Sequence, residues 1–116
     1  MLFRLATWLI ALSIVSSTRA DDSFDIPNSV AAVLQGRCVD CHSVDAAEGD
    51  VRLDALTELE FEARLDLLNR VQEQLFLGRM PPEDEAQPTA EERNALAGWV
   101  SQELKRYDAS KLEKKL

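Results

Sequence analysis

Five consecutive residues constrain this chain more than any other feature of its sequence. They are Cys38-Val39-Asp40-Cys41-His42, and they contain both cysteines and the only histidine of the 116 residues. A C-x-x-C-H segment is the attachment signature of c-type haem. The two thiols can add to the vinyl groups along one haem edge, and the adjoining imidazole then offers iron a proximal ligand. The segment therefore predicts one covalent haem c on Cys38 and Cys41, with His42 as the proximal ligand.

Three other interpretations of this segment are less favourable. A structural zinc site takes about four Cys or His ligands, and the whole chain offers fewer than that. A thioredoxin-like dithiol accompanies a strand that leads into a helix, and no strand pattern precedes Cys38. A structural disulfide between Cys38 and Cys41 would close a very short loop, so it would hold little of the chain together.

Met80 is predicted to be the distal iron ligand. Met1 is expected to leave with an export signal, so Met80 is the only methionine of the mature chain. Pro81 and Pro82 exclude helix and favour an extended backbone at Met80, which would present the thioether at a fixed reach. A lone methionine is more commonly a core residue, and the alternative here is an open distal site.

Residues 1–20 have the layout of a secretory signal peptide, with a basic start, an apolar run and small residues before Ala20. The apolar run from Leu5 to Val15 is much shorter than the ~20 residues that a membrane-spanning helix needs. We expect cleavage after about Ala20. The mature protein is then periplasmic or otherwise exported, without a stable membrane span.

The charge of the chain excludes one class of partner. The formal net charge is -8, and cleavage after Ala20 would remove Arg4 and Arg19 but none of the 21 acidic residues, which gives -10. Nucleic-acid binding depends on Lys and Arg contacts to phosphate, so no nucleic-acid partner is expected. An acidic surface suits a partner with a basic docking surface, or it serves solubility alone.

Hydrophobic periodicity predicts one all-α domain with three main helices. The first is expected at 27–41, with Val30, Val33 and Leu34 on the same stripe as the two cysteines and His42. The second is expected at 58–77, between a Thr57–Glu60 capping box and a Gly78 cap, and the third at 90–107, after a Thr89–Glu92 capping box. The predicted apolar positions of the second and third helices are Phe61, Leu65, Leu68, Val71, Leu75, Phe76, Leu96, Trp99, Val100 and Leu104.

The remaining segments are predicted to be irregular or exposed. Residues 21–26 form a short exposed lead, and residues 43–56 form a polar loop with a turn at Gly49 and Asp50. Residues 108–116 form a polar, Lys-rich C-terminal tail that frays. No strand pattern and no internal repeat are visible in the sequence.

Several of these segments together resemble one family, the planctomycete-type cytochrome c domain. They are Cys38-Val39-Asp40-Cys41-His42-Ser43, Gly49-Asp50-Val51-Arg52-Leu53-Asp54, Gly78-Arg79-Met80-Pro81-Pro82, Pro88-Thr89-Ala90-Glu91-Glu92-Arg93 and Trp99. The resemblance covers roughly residues 30–105. It implies a class I cytochrome c fold over 21–107, with three main helices around one covalently bound haem, His42 and Met80 as axial ligands, and electron transfer as the function.

Two functions from different classes remain open at this point. The first is an electron carrier without catalytic residues, whose partners are extracytoplasmic redox proteins. The second is a small haem peroxidase or gas sensor with an open distal position, for which no second histidine is present to act as acid or base. A binding module that uses haem only as a structural staple is a third interpretation. The family's domain is commonly one module of a longer protein, so a stand-alone carrier and a partner of a separate enzyme are both open.

Four other residues receive weaker interpretations. Trp99 is expected to be a core aromatic near the haem edge, with an electron relay as the less favoured role. Arg37, Arg52 and Arg79 flank the motif residues and could each pair with a haem propionate, or they are solvated surface charges.

Overall fold

Three α-helices form the described part of the chain. The computed structural model describes residue 14 and residues 24–115, with side chains described up to residue 109, so most of the predicted signal peptide at 1–20 lies outside it. The helices are α1 (Asn28–Arg37), α2 (Phe61–Phe76) and α3 (Ala90–Lys115). No strand occurs among these described residues, which confirms the all-α class. None of the described helices is both long and apolar enough to cross a membrane.

Helix α3 packs against both α1 and α2. The buried core cluster between the helices consists of Val30, Val33, Leu34, Leu53, Leu56, Leu68, Leu96, Trp99 and Val100. Full burial of one such aliphatic side chain contributes about 1.5–3 kcal/mol relative to exposure. The predicted core positions of α1 and α3 are therefore occupied as expected, and Trp99 is a core residue.

Of the predicted exposed lead at 21–26, the described residues 24–26 are not fully exposed. Phe24 and Ile26 are half-buried and pack against the core cluster. The Phe24 ring lies 5.6 Å from the Trp99 ring, and the indole Nε1–H of Trp99 donates a hydrogen bond to the Asp25 carbonyl at 3.2 Å. The expectation failed because two apolar residues are too few to make a periodic pattern. Their partner lies more than seventy residues later in the chain.

Helix α1 ends at Arg37 and not at the predicted residue 41. The N–H groups of Cys38 and Val39 both donate to the Leu34 carbonyl, at 3.0 Å each, which closes the last turn of the helix. Val39 is β-branched and Asp40 competes with the backbone for hydrogen bonds, so neither favours continuation of a helix. The cysteine motif therefore follows α1 as a separate turn.

Helix α2 also begins later than predicted. Thr57 lies in a 3-10 turn at Leu56–Glu58, and Glu60 precedes the helix without a side-chain cap. The Thr57–Glu60 capping box is therefore wrong. The 3-10 turn buries Leu56, which is only 2% exposed, and burial of this leucine outweighs a local cap whose typical worth is about 1 kcal/mol.

Most of the predicted apolar face of α2 meets the core, but its two phenylalanines do not. Leu65 and Leu68 are buried, and Val71 and Leu75 are half-buried. Phe61, the first residue of the helix, packs against the Tyr107 ring at 5.3 Å. Phe76, the last residue, is 88% exposed, because Leu75 fills the core one position earlier.

The C-terminus of α2 is a Schellman motif, as Gly78 predicted. The Gly78 N–H donates to the Leu75 carbonyl at 3.2 Å and the Arg79 N–H donates to the Gln74 carbonyl at 3.0 Å. Gly78 has φ 66°, in the left-handed region. This motif turns the chain sharply and sets the start of the segment that carries Met80.

Gly78→Ala is expected to destabilise the protein by about 1 kcal/mol, because a Cβ is disfavoured in the left-handed region. A Cβ at this position would meet no described atom, so backbone strain is the whole effect. Urea denaturation measures the change. Gly98→Ala inside α3 is the matched control, and it should stabilise by up to about 1 kcal/mol. Equal changes in the free energy of unfolding for the two substitutions would contradict the left-handed conformation of Gly78.

Helix α3 begins with the predicted capping box. The Glu92 N–H donates to Thr89 Oγ1 and the Thr89 N–H donates to Glu92 Oε1, both at 3.1 Å. The helix continues to Lys115, so it includes residues 108–115 of the predicted tail. The reason is local, because no glycine or proline follows Gly98 and the later residues include strong helix formers.

Candidate functional site

The four site residues predicted from the sequence all line one cavity. Its volume is about 560 Å³, and Cys38, Cys41, His42 and Met80 all line it. Cofactor sites commonly occupy about 300–1,000 Å³. The motif turn contributes three of these residues, and the connection between α2 and α3 contributes Met80.

The motif turn is held by its own backbone and by the loop that follows. The N–H groups of Cys41 and His42 both donate to the Cys38 carbonyl, at 3.3 and 3.0 Å. The loop then returns, since the Glu48 N–H donates to the Cys41 carbonyl at 2.9 Å and the Leu53 N–H donates to the His42 carbonyl at 2.7 Å. These bonds fix the positions of the two cysteines and the histidine without a helix.

The imidazole of His42 is oriented by a backbone contact. Its Nδ1 lies 3.2 Å from the carbonyl oxygen of Val51. A carbonyl can only accept, so Nδ1 carries a proton in this contact, and Nε2 is the nitrogen that the neutral ring can offer to a metal. Metal-bound histidines commonly donate their other N–H to a carbonyl in this way, which fixes the tautomer and the ring. His42 therefore has the arrangement of a histidine that ligates a metal through Nε2.

The two thiols are not bonded to each other. Burial, followed by the negative charge of a Cys41 thiolate, raises the pKa of Cys38. Partial burial and the carboxylates of Glu48, Glu85 and Asp40 raise the pKa of Cys41. Redox-active dithiols need a lowered thiol pKa, so the surroundings of Cys38 and Cys41 disfavour the thioredoxin-like interpretation.

Met80 lies in the connection from the Schellman motif to α3 and is 38% exposed. Pro81, Pro82 and Pro88 of the same connection also line the cavity, and the Met80–Pro81 peptide bond is cis. The side-chain amide of Gln87 donates to the carbonyls of Pro81 and Pro82, at 3.2 and 2.8 Å. This contact, which no sequence pattern predicts, holds the proline segment that follows Met80.

The walls of the cavity are largely apolar. The aliphatic side chains that line it are Val33, Leu34, Val51, Leu53, Leu67, Val71, Leu75 and Leu96. Gly36 of α1 also lines it, and a Cβ there would meet no described protein atom within 4 Å. Glycine inside a helix costs up to about 1 kcal/mol relative to alanine, and here it leaves the wall open for close approach. The donor set, the apolar walls and this opening together fit a haem.

The three arginines considered as propionate partners behave differently from one another. Arg37 lines the cavity, but its guanidinium is bonded to the Glu92 carboxylate at 3.3 and 3.4 Å. Arg52 pairs with Asp54 at 3.1 Å and does not line the cavity, and Arg79 does not line it either. Arg70 of α2 lines it and was missed by the sequence interpretation.

The Arg37–Glu92 pair joins the end of α1 to the start of α3. The hydrogen bond from Arg37, followed by the backbone N–H of Thr89, lowers the pKa of Glu92 below its ordinary value of 4.5. A carboxyl group whose folded pKa is lowered contributes stability above its unfolded pKa, and this contribution is lost as the pH falls through the folded pKa. The protein should therefore lose stability in acid partly through this pair.

Arg37→Gln is expected to reduce the acid sensitivity of unfolding, because Glu92 then has a smaller pKa difference between the folded and unfolded states. Urea denaturation at about pH 7 and about pH 3 measures this. Glu92→Gln is the partner variant, since glutamine retains the capping box, and the double variant completes the cycle. If the pH dependence of Arg37→Gln equals that of the wild type, the pair does not have this role.

One known family matches part of this chain. Residues 38–84 match the planctomycete cytochrome C family. The match begins at the first cysteine of the motif and ends after the Met-Pro-Pro segment, so it contains all four candidate site residues. The other resembling segments, at 88–93 and at Trp99, lie beyond it. Neither the curated proteins nor the solved structures provide a match to the chain.

The cytochrome c match confirms the resemblance over residues 38–84 and indicates a c-type cytochrome, with haem and iron. It fits an electron carrier better than an enzyme. The roles of Cys38, Cys41, His42 and Met80 as individual ligands, and the domain boundaries at 20 and 107, stay predictions.

Proposed function

We propose that this chain is an exported mono-haem c-type cytochrome that transfers electrons. Cys38 and Cys41 would form the two thioethers, His42 would bind iron through Nε2, and Met80 would bind it through sulfur. The observation that carries the proposal is the cavity lined by all four residues, with the Nδ1–H of His42 already engaged by Val51.

The chemistry of the ligand set favours electron transfer over catalysis. When bound, haem would supply a one-electron exchange between ferric and ferrous iron, and Met80 as a ligand beside His42 would raise its reduction potential. If His42 and Met80 both bound the iron, no coordination position would be left for peroxide or a gas. No second histidine exists in the chain to serve as a distal acid or base. The residues of this chain hold, orient and cover the group, and they need not react with a substrate.

The partners are proposed from charge. The net charge of -8 favours an extracytoplasmic redox protein with a basic docking surface, because complementary charge accelerates encounter. The association rate with such a partner would fall as salt is raised. Cleavage after Ala20 is part of the proposal, and the N-terminal sequence of the mature protein tests it directly.

A visible spectrum with a redox titration tests the proposed function. The purified holoprotein should be low-spin in both oxidation states and should titrate reversibly as a one-electron couple. Its rate of peroxide turnover should not exceed that of free haem. A high-spin ferric spectrum with peroxide turnover or gas binding would contradict the proposal and favour the peroxidase or sensor alternative.

A further inference from the structure

The charged residues of the cavity are unevenly distributed. Among the described residues that line it, the acids are Asp40, Glu48, Glu73 and Glu85, and the only cations are Arg37 and Arg70. A haem brings two more negative charges with its propionate carboxylates. Carboxylates that are taken partly out of water need cationic or hydrogen-bonding partners, so the two arginines are the groups to consider.

Two of the acids lie beside Cys41. Asp40 directly precedes it in the motif turn, and the Glu48 N–H donates a hydrogen bond to the Cys41 carbonyl at 2.9 Å. In a haem c, the thioethers occupy one edge of the macrocycle and the propionates occupy the opposite edge. The acidic side of the cavity would therefore face the thioether edge, and the propionates would point away from it.

Arg37 is poorly placed to pair with a propionate. It precedes Cys38 in the chain, so its backbone is at the thioether side. Its guanidinium is already bonded to both carboxylate oxygens of Glu92. Arg70, in contrast, lies on α2 and makes no hydrogen bond or ion pair with any other described residue.

We infer that Arg70 is the propionate partner of the haem in this cavity, and that it holds the carboxylate through its planar guanidinium. The inference rests on the proposed function. Arginine pairs with carboxylates through two parallel hydrogen bonds, and these charge-assisted bonds are stronger than neutral ones. Arg70 thereby neutralises one propionate, keeps its pKa low and raises the reduction potential of the iron. It is a positioning residue, since it touches the cofactor away from the iron.

The test is the reduction potential of the holoprotein as a function of pH, measured for the wild type, Arg70→Gln and Lys105→Gln. Lys105 is exposed on α3 and does not line the cavity, so its variant removes the same charge elsewhere. In Arg70→Gln, the unpaired propionate stabilises ferric iron, and the equilibrium constant for reduction should fall about tenfold, which is about 59 mV for one electron.

The pH dependence separates a direct contact from a general loss of charge. Without Arg70 the pKa of the propionate rises. The pH range over which the reduction potential increases with acidity should therefore shift to higher pH. In Lys105→Gln that pH range should be the same as in the wild type. Arg70→Lys keeps the charge and loses the planar fork, so it should give a smaller shift in the same direction, and it serves as the second variant if Arg70→Gln does not mature.

The outcomes distinguish this inference from the proposed function. The pH range of the change in reduction potential is compared between Arg70→Gln, or Arg70→Lys if the first variant does not mature, and Lys105→Gln. If the two ranges coincide, Arg70 does not hold a propionate, while the cytochrome function stands. A wild-type protein without covalent haem would overturn the proposed function and this inference together.

Discussion

Replacement of both Cys38 and Cys41 by alanine is expected to abolish covalent haem attachment completely. Each single substitution should leave one thioether. Haem staining of a denaturing gel measures the result, because only covalently bound haem migrates with the polypeptide. Val39→Ala is the matched control, since it changes the same turn but preserves the C-x-x-C-H pattern, and it should stain like the wild type.

The structure gives a reason for this large effect. The turn at Cys38 is closed by the N–H groups of Cys41 and His42 on one carbonyl, so the two thiols and the imidazole are held within one short segment that lines the cavity. Removal of the thiols leaves these backbone bonds in place and removes only the groups that react with the vinyl carbons. A double variant that still stains for haem would show that the attachment lies elsewhere.

Met80→Ala is expected to convert a low-spin haem into a high-spin or weakly ligated one and to lower the reduction potential. Thioether sulfur favours ferrous iron relative to harder ligands, so its loss stabilises the ferric state. The equilibrium constant for reduction should fall by more than tenfold, which is more than about 59 mV for one electron. The weak near-infrared band from sulfur-to-iron charge transfer should disappear.

Leu77→Ala provides the control for Met80→Ala. Leu77 is an exposed apolar residue three positions earlier, and it does not line the cavity, so its variant should retain the spectrum and the potential of the wild type. An unchanged spectrum and potential in Met80→Ala would remove methionine from the iron and favour an open distal position.

Features set by neighbouring residues could be predicted from the sequence. Gly78 ends α2 and the Thr89–Glu92 box begins α3, because both devices are hydrogen bonds within a few residues. The Thr57–Glu60 box has the same local pattern and does not form. Leu56 is needed in the core, and no local pattern reveals that need.

Features that depend on distant residues could not be predicted. The bond from Arg37 to Glu92 joins residues 55 positions apart, and the contact of Trp99 with the Asp25 carbonyl spans a larger separation. The place of Arg70 at the cavity could not be predicted either, because its neighbours in sequence form an ordinary amphipathic helix. Only the packing of the helices brings Arg70 to the cavity. Cys38, Cys41 and His42 could be named because their motif is contiguous, and Met80 because it is the only methionine of the predicted mature chain. The residues that orient these side chains or balance their charge come from other elements.

The most direct test of the central claim is the intact mass of the mature protein, purified from a host that attaches haem c. We expect the mass of the chain from residue 21 onward plus one haem, retained after extraction with acidified acetone. A protein with the unmodified mass, or one whose haem extracts freely, would contradict covalent attachment through Cys38 and Cys41.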